Sequence, residues 1–535
     1  MPDDVAVSLL KRLGTLEQQR ITWESHWQDI ADFIVPRKAN ISRKRSAGDK
    51  MTEYIFDGTA IHAAEMLSAS LHGMLTNMSV KWFSLEYRQT DLNGDDSARE
   101  WLQSVEDVMY KTFARSNFQE QIHELYHDLI TFGTAVMFIE ADPNTDIRFS
   151  TRHIGECYLS EDDKGRVDTV YRKFKMPLKA VITRFGKDKL SKKLKDKYKE
   201  NPFETTEIVH CVYPRDDRDP TKLTSENKPY ASVYIEPDEK IILSVSGFDE
   251  LPYTCPRWLK SSFEIGYGRS PAMTSLSDIK MLNKMSEVTI RAAQKQVDPP
   301  LLVPDDGFIL PVRTVPGGLN FYRSGTRDRI EPLQIGANNP LGLNMEEQRR
   351  QAIRSAFYVD QLILAQGPQM TATEVVQRTE EKMRLLGPVL GRLQAEMLQP
   401  LIARTFNILA RAGRFPVAPE FMMDMDLQIE YVSPLAKAQK QGDITSINQL
   451  LELLGPLGQL DPKIMDYVDF DGVAKHLIKT LSIPATTISS DQEVSMKRQD
   501  RQQQMEEAQE QQQMMETAEA GGKVAPLLAA AQNQQ

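Results

Sequence analysis

Val375, Thr379, Met383, Leu386, Leu390, Leu393, Met397, Leu401, Thr405 and Ile408 hold an apolar period across residues 371–413. Three- and four-residue spacing marks one face of an α-helix. Thr371 and Glu374 stand at capping-box separation, and Gly413 closes the run. Pro388 and Pro400 lie inside it. Each removes a backbone hydrogen bond at about 3 kcal/mol, so kinks are expected rather than a straight rod. Even kinked, such a helix reaches about 65 Å, more than an ordinary globular domain needs. It reads as a spoke in an assembly.

A second rod is bounded more sharply. Ser270 can cap residues 271–297, Pro271 suits the first helical position, and Asp298-Pro299-Pro300 ends the helix. Its length is about 40 Å. Met281, Leu282, Met285, Ala292, Ala293, Ile279, Ile290 and Val297 cover one broad side, with Lys280, Lys284, Arg291 and Lys295 on the other. Residues 298–340 are rich in Pro and Gly, with strand-like pieces in PPLLVP and GGLNFYR. A shorter helix is expected at 342–359, where Glu346, Arg350 and Arg354 share a face. The loop 360–370, DQLILAQGPQM, follows.

The first 135 residues read mainly as helix. Trp23, Trp27, Ile30, Phe33 and Ile34 carry one run, which Pro36 ends. A loop at 37–53 holds Arg37, Lys38, Arg43, Lys44, Arg45 and Lys50. The small-residue helix TAIHAAEMLSASLHGMLT is entered from Asp57-Gly58 and leads to Trp82-Phe83-Ser84-Leu85, a short strand or a buried anchor. Helical stretches follow at about 98–115 and 118–131. Between 135 and 250 the period turns toward strands: AVMFIE, CYLS and RVDTVYRKF around Asp162-Asp163-Lys164-Gly165, then EIVHCVYP, YASVYIEP and KIILSVSGF. The lysine-rich RFGKDKLSKKLKDKYK reads as an exposed helix and loop. Near the end, helices are expected at about 441–454 and 461–481. The tail from 496 is rich in Gln, Glu and Met, either disordered or a helix in need of neighbours. The expected class is α+β, mainly helical.

Composition narrows the function. The 535 residues exceed one core, and the net charge of −10 argues against a protein that coats nucleic acid by bulk charge. Cys157, Cys211 and Cys255 are few, scattered and odd in number, which leaves a disulfide framework or a Cys-based zinc site little support. No apolar run is long enough to span a bilayer, and MPDDVAVSLLKRLG lacks the layout of a signal peptide. An acidic, multi-domain protein of a reducing compartment is expected.

One pattern points to an enzyme. His123-Glu124-Leu125-Tyr126-His127 is an HExxH sequence, which on a helix presents two imidazoles for zinc beside a general base. A zinc protease needs a third ligand. The metzincin continuation is broken by Ile130 and Gly133, and no NExxSD-like segment follows. The favoured reading is a helix with two surface or inter-helix histidines, with neither metal nor cofactor. Gly186-Lys187 lacks the upstream glycine of a P-loop, GYGRSP at 266–271 is too short for a dinucleotide fingerprint, and no GxSxG occurs. The lysine-rich stretch reads first as a solvated face. Repeated around a ring, the helical stripe would form belts of positive charge facing a channel or a neighbouring subunit. An ion pair to Glu346 or Glu347 across subunits explains it equally well.

In order and spacing, several segments resemble the portal, or head-to-tail connector, family of short-tailed (podovirus-type) double-stranded DNA bacteriophages. The resemblance runs over roughly 20–480. It rests on TAIHAAEMLSASLHGMLTNMSVKWFSL, LYHDLITFGTAVMFIE and SEDDKGRVDTVYRKF. More specific are GYGRSPAMTSLSDIKMLNKM with its following Pro-Pro, and QMTATEVVQRTEEKMRLLGPVLGRLQAEMLQPLIARTFNILARAG. It implies a ring of about twelve subunits at one capsid vertex, in the virion and, during assembly, the host cytoplasm. The implied parts are a wing at 1–265 and stem helices at 266–297 and 341–359. Between these lies a clip at 298–340, and after them a channel loop at 360–370. A long kinked wing helix with its connection would occupy 371–424, a crown 425–495, and a tail 496–535 able to form a barrel. Lys280, Lys284, Arg291, Lys295, Gln361, Gln366 and Gln369 become candidates to face DNA, and Glu346, Arg350 and Arg354 candidates for the subunit interface. The implied partners are further copies of the chain, major capsid and scaffolding proteins, the terminase motor, tail adaptor and tube proteins, and passing duplex DNA, with no membrane. A zinc protease and a non-viral scaffold or adaptor are the rival readings.

Overall fold

The computed structural model describes residues 2–43, 48–79, 81–87, 96–219, 221–222, 224–303, 319, 321, 330–333, 340–362, 386–419, 429–432, 446–456, 467–480, 489 and 493–508. Helices α1 Pro2–Phe33, α2 Thr59–Leu75, α3 Asp96–Arg115 and α4 Phe118–Phe132 make up the N-terminal part, as the apolar spacing predicts. The chain is α+β and mainly helical. It divides into two units, Met1–Trp82 with Met109–Arg414, and Phe83–Val108 with Phe415–Gln535.

Among the described residues the first unit holds a three-stranded and a five-stranded sheet. Strands β2 Val136–Asp142, β3 Asp146–Arg152 and the short β9 Tyr253–Thr254 pair in the order β3-β2-β9. Strands β4 Cys157–Glu161, β5 Val167–Pro177, β6 Thr205–Pro214, β7 Tyr230–Glu236 and β8 Ile241–Phe248 form an antiparallel meander. The β4–β5 turn is the expected Asp162–Gly165 segment, with Gly165 at φ +74°. Strand β3 was not among the expected strands; in DIRFSTR the apolar residues are outnumbered by charged and hydroxyl ones, and its pairing with β2 supplies what its composition does not.

Side-chain alternation explains why β6 reads as the near-continuous run EIVHCV: both faces of the sheet are covered. Val209 and Cys211, with Val233 and Ile235 of β7, meet Ala6, Leu9, Leu13 and Leu16 of α1. Burying each leucine contributes roughly 2 kcal/mol. Ile208 and Tyr234 look the other way, onto helices α5 Leu178–Phe185 and α6 Lys192–Glu200. The lysine-rich stretch is therefore not exposed all round, since Leu190 and Leu194 are buried. Arg20 fixes α1 to the sheet. Its guanidinium donates to the carbonyls of Ile154, Gly155 and Cys157 at 2.6–3.1 Å and lies 3.7 Å from the Tyr158 ring centre.

Helix α7 Pro271–Val297 occupies the expected span, and β10 Leu301–Leu302 pairs with β11 Glu331–Pro332 beyond it. Helix α8 Pro340–Ala356 ends sooner than expected. Tyr358 takes φ +57°, which an α-helix cannot accommodate, and α9 Val359–Leu362 restarts after it. Thr371 and Glu374, with the helix start predicted there, lie outside the described residues. The part that follows is α10 Gly387–Leu393, a π-helical turn Gln394–Leu398, and α11 Gln399–Arg411. Gln399 donates to the carbonyl of Gln394, five residues back. The wider turn accommodates Pro400, which has no N–H to offer. Gly413 (φ +62°) closes the helix as expected, and Arg414 N donates to the Leu409 carbonyl.

Buried charges hold this helix to the sheets. Arg257, 1% exposed, pairs with Glu396 (2.7 Å) and Glu161, while Arg404 donates to the Ile139 carbonyl (2.9 Å) and Glu250 (3.0 Å).

In the second unit β1 Ser84–Tyr87 pairs antiparallel with β12 Ile429–Val432. Leu85 N donates to Glu106 (2.6 Å), and Trp101 Nε1 to the Pro416 carbonyl (3.0 Å). Helices follow at 446–456, Phe470–Thr480 and 493–508, and Arg498 joins the last two through Asp471 (2.6 Å). The predicted helix beginning at 461 falls on described residues only from 467.

Candidate functional site

The α7–α8 pair holds most of the residues singled out by sequence. Its base is locked by short contacts. Ser270 Oγ accepts from Met273 N (3.0 Å) and donates to the Thr131 carbonyl at the end of α4 (2.7 Å). Gly133, at φ +77°, packs directly against the backbone of Gly268, where a Cβ would overlap the Gly268 carbonyl. The glycines of GYGRSP thus serve close backbone packing.

From Pro271 to Ser286, α7 buries Met273, Leu276, Ile279, Leu282 and Asn283. Asn283 bonds Phe56 N and the Tyr54 carbonyl (2.7 and 2.9 Å). Beyond Ser286 the burial stops: Val288, Ile290 and Val297 are exposed, Val297 by 87%. Leu343 and Met345 of α8 are exposed too.

Charges knit the two helices. Glu346, 4% exposed, accepts from Thr289 Oγ1 (2.6 Å) and Arg350 (3.2 Å), and Arg349 pairs with Asp278 (2.6 Å). Arg350 also reaches Asp57 (3.0 Å) ahead of α2. Burial works against the Asp57 carboxylate, but bonds from Thr59 and Arg350 outweigh it and hold its pKa below the ordinary value. Burial likewise opposes the Arg350 charge, and Asp57 and Glu346 more than restore it, so its pKa is raised. Arg354 pairs with Glu347 (3.6 Å). Asp57, Asp278 and Thr289 were not singled out by sequence, because their partners lie far along the chain.

The basic stripe is largely answered within the chain. Lys280 pairs with Asp29 of α1 (2.7 Å), and Lys284 (2.9 Å) and Arg291 (2.6 Å) share Glu287. The bond from Lys284, then the Arg291 charge, lower the Glu287 pKa. Lys295 is exposed, with no ion pair among the described residues. Gln361 lies on α9; Gln366 and Gln369 lie outside the described residues.

The HExxH pattern falls on α4 as expected, but its side chains part. His123 is exposed near the His72 ring (6.0 Å between centres), while His127 is 5% exposed with no partner for Nδ1 among the described residues. Burial, then the charges of Arg37, Lys38 and His123, push the His127 pKa down to about 4. Glu124 is occupied by Lys38 (2.8 Å), which also holds the buried Asp128 (2.6 Å). Among the described residues no group of three or more His, Cys, Asp or Glu could hold a metal ion, and no helix is long and apolar enough to cross a membrane.

The site is thus a helical pair anchored on α1, α4 and the segment before α2, with an apolar, exposed far end. A family model of bacteriophage head to tail connecting proteins matches residues 6–488. A protein described as a probable portal protein of Bordetella phage BPP-1 is 34% identical over 505 residues, 92% of this chain and 90% of the relative. The portal protein of Salmonella phage epsilon15 is 33% identical over 503 residues, with the same coverage. That of Enterobacteria phage T3 is 21% identical over 417 residues, 76% of this chain and 75% of the relative. The chain belongs to the bacteriophage head to tail connecting family.

Proposed function

We propose that the chain is a portal subunit, assembling into a ring of about twelve copies at one capsid vertex. The observation that carries this reading is the likeness to two portal proteins over 92% of the chain. The uncovered end of α7 supports it: Val288, Ile290 and Val297 gain their burial from neighbouring copies.

In this reading DNA is packaged and ejected through the ring, and the work is done by geometry rather than bond-making. The wing spans 1–265, the stem helices 266–297 and 341–359, the clip 298–340, and the channel loop 360–370. The kinked wing helix and its connection take 371–424, the crown 425–495, and the tail 496–535. Lys284, Arg291 and Lys295 are the residues of a modest basic belt toward the duplex; the Lys280–Asp29 ion pair supports leaving Lys280 at its edge. Because Lys284 and Arg291 share Glu287, the belt is weak, as suits DNA that must keep sliding. The clip docks the terminase motor and later the tail adaptor, and major capsid and scaffolding proteins meet the outer ring.

The test is a class-averaged particle viewed end-on, with subunits counted around a hole. A closed ring supports the proposal. A protein that stays monomeric under all assembly conditions overturns it. Replacing Lys280, Lys284, Arg291 and Lys295 together by Gln should change genome content or retention; unchanged packaging removes the stripe from the channel.

A further inference from the structure

The α5–α6 hairpin concentrates positive charge in a chain that is acidic as a whole. Residues 178–200 hold nine Lys or Arg against three Asp or Glu, in a protein of net charge −10. The hairpin is also firmly mounted. Leu178, Val181, Phe185, Leu190 and Leu194 pack on Phe174, Ile208, Tyr234 and Leu243 of the sheet. Ser191 caps α6 through Leu194 N (3.1 Å) and donates to the buried Glu236 (2.7 Å). With the apolar side spent on the sheet, the lysines face outward.

They are not all neutralised. Lys193, Lys197 and Lys199 are ion-paired with Asp238, Glu204 and Asp196. Lys187, Lys189 and Lys192 are exposed and have no ion pair among the described residues. All three lie at the turn into α6, with the exposed Asp188 between Lys187 and Lys189. Among the described residues no exposed large apolar side chain accompanies them there; the exposed Phe203 lies by Lys179, at the start of α5. Protein interfaces are depleted in lysine and rely on aromatic and apolar anchors, which this turn lacks. Compact, flexible ammonium groups without anchors suit the repeating phosphates of a nucleic acid backbone.

We propose that the turn around Lys187, Lys189 and Lys192 is a contact for the phosphate backbone of duplex DNA, separate from α7. It requires no base readout and works by release of counterions.

The test is binding of a fluorescent duplex of about 30 base pairs to the full chain between roughly 50 and 200 mM salt. Changing all three lysines to Gln should weaken binding and flatten the log affinity–log salt slope by about 2.7, roughly 0.9 per lost contact. Changing them to Arg should preserve both. The same loss should be read in a chain already carrying Lys284→Gln and Arg291→Gln, which separates the hairpin from the channel reading. Unaltered affinity and slope in the Gln variant overturn the proposal, as does failure of the parent chain to bind duplex. Lysine-dependent capture of polyglutamate without capture of duplex also overturns it, and assigns the turn to an acidic protein.

Discussion

The two halves of α7 are the same helix under opposite conditions. From Pro271 to Ser286 it is folded into its own chain, through Leu276, Ile279, Leu282 and Asn283. From Glu287 to Val297 its apolar residues Val288, Ile290 and Val297 are exposed. The first half is specified by intramolecular burial, and the second is left to solvent in the single chain. One amphipathic pattern therefore serves two purposes, and only burial tells them apart.

The contrast breaks most severely at the base. Gly133→Ala combines a positive φ with a Cβ placed on the Gly268 backbone, and should cost about 3 kcal/mol or more in denaturant unfolding. Leu282→Ala in the buried half should cost about 2–5 kcal/mol. If it proves neutral, the supposed difference between the halves disappears.

Acid should act on the anchored side. His127 and the fully buried His210 both have pKa values lowered by burial, His127 to about 4, with Arg184, Arg172 and Arg152 adding to the effect at His210. Below pH 6.5 the unfolded chain takes up protons that the folded chain refuses, so stability is full above that pH and falls as pH drops. His127 alone accounts for about 3 kcal/mol lost between pH 6.5 and 4. In His127→Leu the pH dependence of unfolding should lose about one proton over this window; an unchanged slope would mean the imidazole is not buried neutral.

Glu346→Ala should cost about 2 kcal/mol, because Thr289 and Arg350 lose their partner while Arg350 keeps Asp57. The smallest effect belongs to the free half. Val288→Ala should change the stability of the single chain by no more than about 0.5 kcal/mol, yet reduce the ring fraction seen by sedimentation. A large loss in the monomer would show that Val288 is already buried.

Much of this was legible in the sequence. The spacing set α7 to the residue, because a serine cap, an N1 proline and a double-proline stop coincide there. The meander was visible in its apolar runs. Strand β3 was not, since its stability comes from β2 rather than from DIRFSTR. Nor was the end of α8, where Tyr358 adopts a left-handed conformation that no local signal announces. That Glu346 and Arg350 share a face of α8 was readable from their four-residue spacing. Their ties to Thr289 and Asp57 were not, because helix periodicity carries no information about distant partners. The HExxH spacing was correct for a helix, but spacing does not reveal that one histidine faces solvent and the other the interior.

The joint between α4 and α7 has a mechanical consequence. Gly133 meets Gly268 backbone to backbone, and Ser270 grips the Thr131 carbonyl. Only the one short side chain of Ser270 stands between the two helices in these contacts, so little there can give under a load. A rod about 40 Å long is then a lever with a stiff fulcrum. A sideways push on Val297 is delivered as torque to the last turn of α4, and from there to the clamp that Lys38 makes on Asp128.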